Sequence, residues 1–149
     1  MLSTEFREFV ALLNAHRVEY LIVGAFAVGA HGHPRYTGDL DVWVRPDAEN
    51  SGRVVEALNE FGFASFNLPA EVFAKTGKIL QVGGRPLSID IMTSIAGAEF
   101  GSAWSRRMTV DLDGLPAHFL GLEDLIASKK AAGRPKDLGD LDELDKLES

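Results

Sequence analysis

Residues 39–44, with the sequence DLDVWV, constrain the fold more than any other segment of this chain. Acidic and aromatic residues alternate there with leucine and valine, which is the period-2 pattern of a β-strand with two different faces. Residues i and i+2 of a strand point to the same side, so Asp39 and Asp41 share one face. Leu40 and Val42 enter the core on the other face. The chain must therefore build a sheet that buries one side of this strand and presents a pair of carboxylates on the other.

The rest of the chain divides into alternating helices and strands at glycine and proline breakers. The predicted elements, in chain order, are a helix around 6–13, a strand at 20–23, a small-residue helix at 25–30, the strand at 39–44, a helix from 46–47 to 62, a short helix near 69, hairpins at 79–92 and 108–120, and helices at about 122–132 and 136–147. This order predicts the α/β (α+β) class, with one mixed β-sheet flanked by helices. A length of 149 residues fits one domain, 1–149, with C-terminal helices at about 122–147.

Composition limits the classes of partner. The chain has no cysteine, which excludes disulfides and thiolate metal sites and suits a reducing compartment. No apolar run is long enough to span a bilayer, so we expect a cytoplasmic protein with no membrane partner. The net charge of −7 argues against a broad DNA-binding surface. A nucleotide could still bind where metal ions neutralise the carboxylates locally.

A third acid, Asp90, lies in the alternating segment LSIDIM. An acid flanked by isoleucines in an interior strand is unfavourable unless it is paired or bound to a metal. If Asp90 meets Asp39 and Asp41, the three would form a two-metal site that aligns a hydroxyl with the α-phosphate of an NTP. Two alternatives stay open: the first two acids are solvated on an edge strand, or Asp90 is the ion-pair partner of Arg35 or Arg85.

Gly24 ends the apolar strand at 20–23, where a helix follows. Glycine allows a sharp turn, and the N–H groups at the start of the helix can face an anion. A glycine after a strand is common, so this feature indicates a phosphate site only together with its spacing from the acids in the sequence.

The combined pattern resembles the DNA polymerase β-like nucleotidyltransferase superfamily, which has a hydrophobic-Gly-[Gly/Ser] turn, a spacer, an acid-h-acid-h strand and a later h-acid-h strand. Residues 21–42 look like its stand-alone bacterial branch, which includes the AbiEii-type abortive-infection and toxin–antitoxin nucleotidyltransferases. Residues 126–140 are similar to the Lys…Arg-x-Lys-Asp-x-x-Asp signature of that branch. The resemblance implies Mg²⁺ or Mn²⁺, an NTP donor, a hydroxyl acceptor on protein, RNA or a small molecule, and a cognate toxin or antitoxin as protein partner.

The resemblance also implies roles for individual residues. Asp39, Asp41 and Asp90 would bind the metals and be catalytic, and Asp90 would help to deprotonate the acceptor. The nucleotide-binding residues would be Gly24, Ala25, Arg35, Thr37, Lys129, Arg134 and Lys136. Ala25 departs from the family's Gly or Ser, because alanine keeps the backbone N–H but lacks a hydroxyl. This departure leaves open a non-catalytic nucleotide-binding or antitoxin-like interaction module.

Lys129 falls near the middle of the apolar face of its predicted helix, where each residue advances by about 100°. A lysine in such a stripe either extends its ammonium to solvent or meets an anion. The resemblance favours the anion, so we predict that Lys129 points at the acidic site and contacts the NTP phosphates. Arg134 and Lys136 would add positive charge, oriented by Asp137 and Asp140.

Overall fold

A computed structural model of the chain describes residues 2–32, 37–84 and 87–148, with side chains up to residue 144. Within these ranges one mixed sheet is flanked by helices, as the sequence predicts. The strands are β1 (Tyr20–Val23), β2 (Asp39–Val44), β3 (Ile79–Gly84), β4 (Leu87–Met92), β5 (Met108–Leu112) and β6 (Leu115–Phe119). The α-helices are α1 (Thr4–Ala15), α2 (Gly24–Ala30), α3 (Ala48–Leu58), α4 (Phe100–Ser105), α5 (Leu122–Ala132) and α6 (Pro135–Glu148).

The sheet has the strand order β3-β4-β2-β1-β6-β5. β2 is antiparallel to β1 and parallel to β4, so it lies inside the sheet. The two predicted hairpins are present as the antiparallel pairs β3–β4 and β5–β6. Because β2 has neighbours on both sides, its acids do not lie on an edge strand.

The two faces of β2 are occupied as its alternation predicts. Leu40 and Val42 are fully buried in the hydrophobic core. On the carboxylate face, Trp43 is only 1% exposed, and its ring packs edge-on against Phe100 of α4 with the centroids 5.0 Å apart. The carboxylate face is therefore sealed by aromatic packing toward the end of the strand and is more open at its beginning, where Asp39 is exposed.

Contacts on two sides fix α5. Gly97, in the loop after β4, has a φ of +73°, and a Cβ there would lie 2.7 Å from the Ala131 Cβ. This loop backbone therefore lies directly on α5. Near the beginning of the helix, Asp124 accepts hydrogen bonds from Arg106 at 2.6 and 3.0 Å, and it is 5% exposed.

The short helix predicted near residue 69 is wrong, because residues 70–73 form a turn. The Ser51 hydroxyl of α3 donates to the Ala70 carbonyl and accepts from the Phe73 N–H, both at 2.8 Å. These bonds to α3 satisfy backbone groups that a helix would have used. The helix predicted to end at Gly62 is α-helical only to Leu58 and continues as a π-helical turn in which Gly62 has a φ of +120°.

No helix in the described ranges is both long enough and apolar enough to cross a bilayer.

Candidate functional site

Asp41 and Asp90 face each other across the parallel pair β2–β4. Burial, a hydrogen bond to Asp90 and the negative charges of Asp90 and Asp39 together raise the pKa of Asp41 to about 7, although the charge of Lys136 acts in the opposite direction. Two carboxyl groups held side by side retain a proton because both cannot ionise without repulsion. The predicted meeting of Asp90 with the first two acids is thus present for Asp41.

Asp39 lies opposite Ser88 in the same register. The Ser88 hydroxyl donates a hydrogen bond to the Asp39 carboxylate at 2.5 Å. The backbone N–H of Asp39 donates to the Thr37 hydroxyl at 3.1 Å, so Thr37 orients the beginning of β2. Ser88 is a site residue that the sequence analysis missed, although it lies two positions before Asp90 and therefore on the same strand face. We call Asp39, Asp41 and Asp90 the carboxylate site.

Gly24 lies directly against the Asp41 side chain. Its φ is +70°, and a Cβ built on it would collide with the Asp41 Oδ2 and lie 3.1 Å from the Asp41 Cγ. Val23, which precedes Gly24, is the register partner of Asp41 in the β1–β2 pair, and this pairing brings Gly24 close to the Asp41 side chain. The predicted phosphate turn, with the buried Ala25 as its second residue, therefore adjoins the carboxylate site.

Lys129 does not contact the carboxylate site in the structure. Its ammonium lies 3.2 Å from the Asp137 Oδ1 and 3.0 Å from the Asp140 Oδ2, both on α6. All three residues are at most 6% exposed. In the structure Lys129 is thus held by two aspartates of α6, which packs on α5, and its contact with NTP phosphates stays a prediction.

Arg134 and Lys136 lie at the beginning of α6. Arg134 bonds Asp137 through its Nε at 2.6 Å and through its Nη2 at 3.2 Å. Lys136 is exposed, and its charge lowers the pKa of Asp41. The pKa of Arg134 is raised mainly by Asp137 and, to a smaller extent, by the negative charge of Asp41. We call Lys129, Arg134, Asp137 and Asp140 the α5–α6 charge cluster.

The carboxylate site supplies the oxygen donors that Mg²⁺ prefers. Among the side chains of residues 2–32, 37–84 and 87–144, no group of three or more His, Cys, Asp or Glu is arranged for a metal ion. Asp39 is turned to Ser88, and Asp41 is left paired with Asp90. A pair is enough for an ion that also binds phosphate, since Mg²⁺ commonly uses one or two protein carboxylates plus substrate phosphates. Arg35 and Arg85, the ion-pair partners considered for Asp90, lie outside the described residues.

A family model described as "Nucleotidyltransferase of unknown function (DUF6036)" matches residues 2–147. The chain belongs to this family. Membership supports a general nucleotidyltransferase role for the chain. No curated protein matches the sequence.

Two solved structures share the fold of this family member. One is a "putative nucleotidyltransferase" from Thermotoga maritima, with a TM-score of 0.56 and 16% identity, over 99% of this chain and 93% of the other. The second is an antigenic nucleotidyltransferase-like protein from Paracoccidioides brasiliensis, with a TM-score of 0.55 and 16% identity, over 98% and 77% of the two chains. At this identity the likeness shows the fold alone.

Proposed function

We propose that the protein transfers a nucleoside monophosphate from an NTP to a hydroxyl acceptor, with Mg²⁺ or Mn²⁺ bound at the carboxylate site. The observation that carries the proposal is the Asp41–Asp90 pair, which lies against the Gly24 turn in a member of a nucleotidyltransferase family. Carboxyl groups that share a proton for lack of a counter-charge are ready to exchange that proton for a divalent cation.

The reaction is an in-line displacement at the α-phosphorus. The acceptor oxygen forms a bond to phosphorus, the bond to the β-phosphate oxygen breaks, and pyrophosphate leaves. Asp90 receives the acceptor proton in this scheme, and the backbone at Gly24 and Ala25 binds phosphate. The metal would neutralise charge on the phosphates and hold both reacting oxygens in line.

The proposal also covers the class of acceptor and the biological system in which the protein acts. The resemblance of residues 21–42 to the AbiEii-type branch supports a role in a toxin–antitoxin or abortive-infection system, with a cognate toxin or antitoxin or an RNA acceptor as partner. A cytoplasmic location fits a chain without cysteine.

A second candidate is a nucleotide-binding module without catalysis. Ala25 favours it, because a methyl group stands where the superfamily usually has glycine or a serine hydroxyl. The backbone N–H that an alanine keeps is enough to bind phosphate but supplies one donor fewer than serine.

Labelled NTPs test both candidates. The wild type is incubated with each of the four α-labelled NTPs and Mg²⁺, and pyrophosphate release is measured with and without a chelator. We expect metal-dependent release that falls by about 100-fold or more in Asp41→Asn and Asp90→Asn. The exposed Asp142→Asn is the matched control and should react like the wild type. Metal-dependent NTP binding without release would select the binding module, and binding indifferent to metal would contradict the catalytic proposal.

A further inference from the structure

The Asp39 side chain is exposed, yet one of its two oxygens is held by the sheet. The hydroxyl of Ser88, a residue that is 9% exposed, donates a hydrogen bond to the Asp39 Oδ1 at 2.5 Å. A serine side chain has a single proton to donate, so this bond uses all of its donor capacity. Hydrogen bonds to a carboxylate are shorter and stronger than those between neutral groups. Ser88 therefore restricts the orientation of a carboxylate that solvent alone would leave free to turn.

The backbone around this hydrogen bond is fixed on both strands. The Ser88 N–H donates to the Gly38 carbonyl at 2.8 Å, so the same residue also binds the chain directly before Asp39. The Asp39 N–H donates to the Thr37 hydroxyl at 3.1 Å. On its other side, Ser88 is the register partner of Gly83 in β3. Because β4 has neighbours on both sides, the Ser88 hydroxyl starts from a fixed position.

Both acids of β2 are bonded toward the same neighbouring strand. Asp39 accepts its hydrogen bond from Ser88, and Asp41 is hydrogen-bonded to Asp90. Ser88 and Asp90 are two positions apart on β4 and share one face of that strand. The two carboxylates of β2 thus lie over the boundary between β2 and β4, where one cation could meet them. The serine engages only the Oδ1 of Asp39, so the Oδ2 is the oxygen that a cation would take.

Repulsion gives this restraint a function. Three carboxylates on one face repel one another, and an exposed acid that nothing held would turn away from the Asp41–Asp90 pair. Among the side chains described up to residue 144, the three acids are not gathered around a metal position. Bringing Asp39 to a cation therefore costs free energy. A hydrogen bond that orients the carboxylate beforehand reduces this cost, as outer-shell hydrogen bonds to metal-binding carboxylates generally do.

We propose that Ser88 is a positioning residue of the metal site: its hydroxyl holds the Oδ1 of Asp39 so that the Oδ2 binds the divalent cation of the carboxylate site. The inference rests on the proposed function and adds a residue that touches neither the metal nor the nucleotide. The competing explanation is that the hydrogen bond only stabilises the pairing of β2 with β4. The two explanations differ in what happens to metal affinity when the hydroxyl is removed.

The test uses Ser88→Ala, Ser88→Thr, Asp39→Ala and the double variant Asp39→Ala/Ser88→Ala. Ser88→Thr keeps the hydroxyl, and the register partner Gly83 has no side chain to crowd the added methyl group. Thr109→Val is the matched control. The Thr109 hydroxyl is also hydrogen-bonded to a residue of a neighbouring strand, the His118 Nδ1 at 2.8 Å, but at the opposite edge of the sheet.

Two quantities are measured for each protein. The affinity for Mn²⁺ is obtained from the electron paramagnetic resonance signal of the free ion, with and without inorganic triphosphate. Triphosphate is a probe that does not depend on the preferred base. The unfolding temperature is measured in chelator, so that it reports on the metal-free protein alone.

Ser88→Ala should weaken Mn²⁺ binding by about tenfold or more, whereas Ser88→Thr and Thr109→Val should bind Mn²⁺ like the wild type. In chelator, Ser88→Ala and Thr109→Val should have similar unfolding temperatures, because each loses one hydrogen bond between strands. In a protein that already carries Asp39→Ala, adding Ser88→Ala should leave the Mn²⁺ affinity unchanged, because the carboxylate that the serine orients is absent.

A Ser88→Ala variant that loses stability but binds Mn²⁺ like the wild type would show that the hydrogen bond only joins the strands, and would overturn the proposal. So would a loss of affinity from Ser88→Ala that persists beside Asp39→Ala, or a Ser88→Thr variant as weak as Ser88→Ala. The proposed function survives these results if Asp41→Asn still lowers the Mn²⁺ affinity. If the wild type binds no Mn²⁺ with or without triphosphate, the metal-dependent function and the role of Ser88 both fail.

Discussion

Two groups of aspartates in this chain differ in what surrounds them. In the α5–α6 charge cluster, Arg134 and then Lys129 hold the pKa of Asp137 down to about 2. In the carboxylate site, burial and the neighbouring Asp90 raise the pKa of Asp41 to about 7. Both aspartates lie at least partly in the interior, so burial alone does not explain why their pKa values shift in opposite directions. The two groups differ in the neighbours of their aspartates. Cations make the α5–α6 charge cluster a structural contact between two helices, whereas a second acid makes the carboxylate site one that can bind a metal.

The largest expected effect comes from removing the charge of Asp137. Asp137→Asn leaves the buried Lys129 with one counter-charge fewer and removes the partner of the exposed Arg134, and we expect a loss of about 3–5 kcal/mol in the free energy of unfolding. Urea unfolding at pH 7 measures it. Asp142→Asn, on the exposed side of the same helix, should change the free energy by less than about 0.5 kcal/mol. Equal effects would mean that the cluster does not stabilise α6.

The next effect concerns the contact between Gly24 and Asp41. Gly24→Ala adds a Cβ at a φ of +70° and against a carboxylate oxygen, so we expect a loss of about 2–3 kcal/mol in the free energy of unfolding. The control is Gly139→Ala in α6, where a Cβ meets nothing within 4 Å and should stabilise by up to about 1 kcal/mol. In a protein that already carries Asp41→Ala, Gly24→Ala should cost less free energy of unfolding, because only the strain of the positive φ remains. An unchanged loss would show that the carboxylate does not press on residue 24.

The pH dependence of stability should separate the two groups without any metal. Asp137 has a lowered pKa, so its contribution is present above its ordinary value near 3.8 and is lost as the pH falls toward 2. Asp41 has a raised pKa, so its contribution is present below 3.8 and is lost as the pH rises through about 7. The free energy of unfolding should therefore rise between pH 2 and 4 from Asp137 and fall between pH 4 and 7 from Asp41.

Asp41→Asn should remove the fall between pH 4 and 7 and stabilise the metal-free protein at pH 8 by about 1–2 kcal/mol, although it should reduce transfer by about 100-fold or more. Urea unfolding at several pH values, with Asp142→Asn beside it, gives the comparison. A variant that melts well below the wild type at pH 8 would make Asp41 a member of a structural ion pair instead.

The smallest effect is expected at Ala25. Ala25→Ser restores the hydroxyl that the superfamily usually has, and it should keep or raise the rate of transfer while changing the free energy of unfolding by less than about 1 kcal/mol. Steady-state kinetics with Mg²⁺ and the preferred NTP measure the rate. A large loss would mean that this backbone approaches something other than phosphate.

Periodicity in the sequence predicted much of the fold because it reports which face of each element is buried. It placed Asp39 and Asp41 on one face of β2 and Asp90 on a strand inside the sheet. It did not determine that β2 and β4 are parallel neighbours, since strand pairing over 49 residues depends on the whole sheet. The bond between Asp39 and Ser88 follows only from that register.

Lys129 is an example of a contact that local sequence patterns cannot predict. The helical spacing indicated that the lysine either reaches solvent or meets an anion, and in the structure it does meet anions. Which anions it meets depends on how α6 packs on α5, and no feature of either helix alone contains that information. The turn at 70–73 is a similar case, because its backbone groups are bonded by Ser51 on a distant helix.

The antiparallel pairing of β1 with β2 has a consequence for how the sequence can vary. Val23 lies opposite Asp41, so the approach of Gly24 to that carboxylate is set by the sheet and not by the length of the chain that joins them. Insertions or deletions in the connection between α2 and β2 can therefore be accepted without moving the acid from the glycine. Relatives should differ in the number of residues there while the glycine and the acid vary together or not at all.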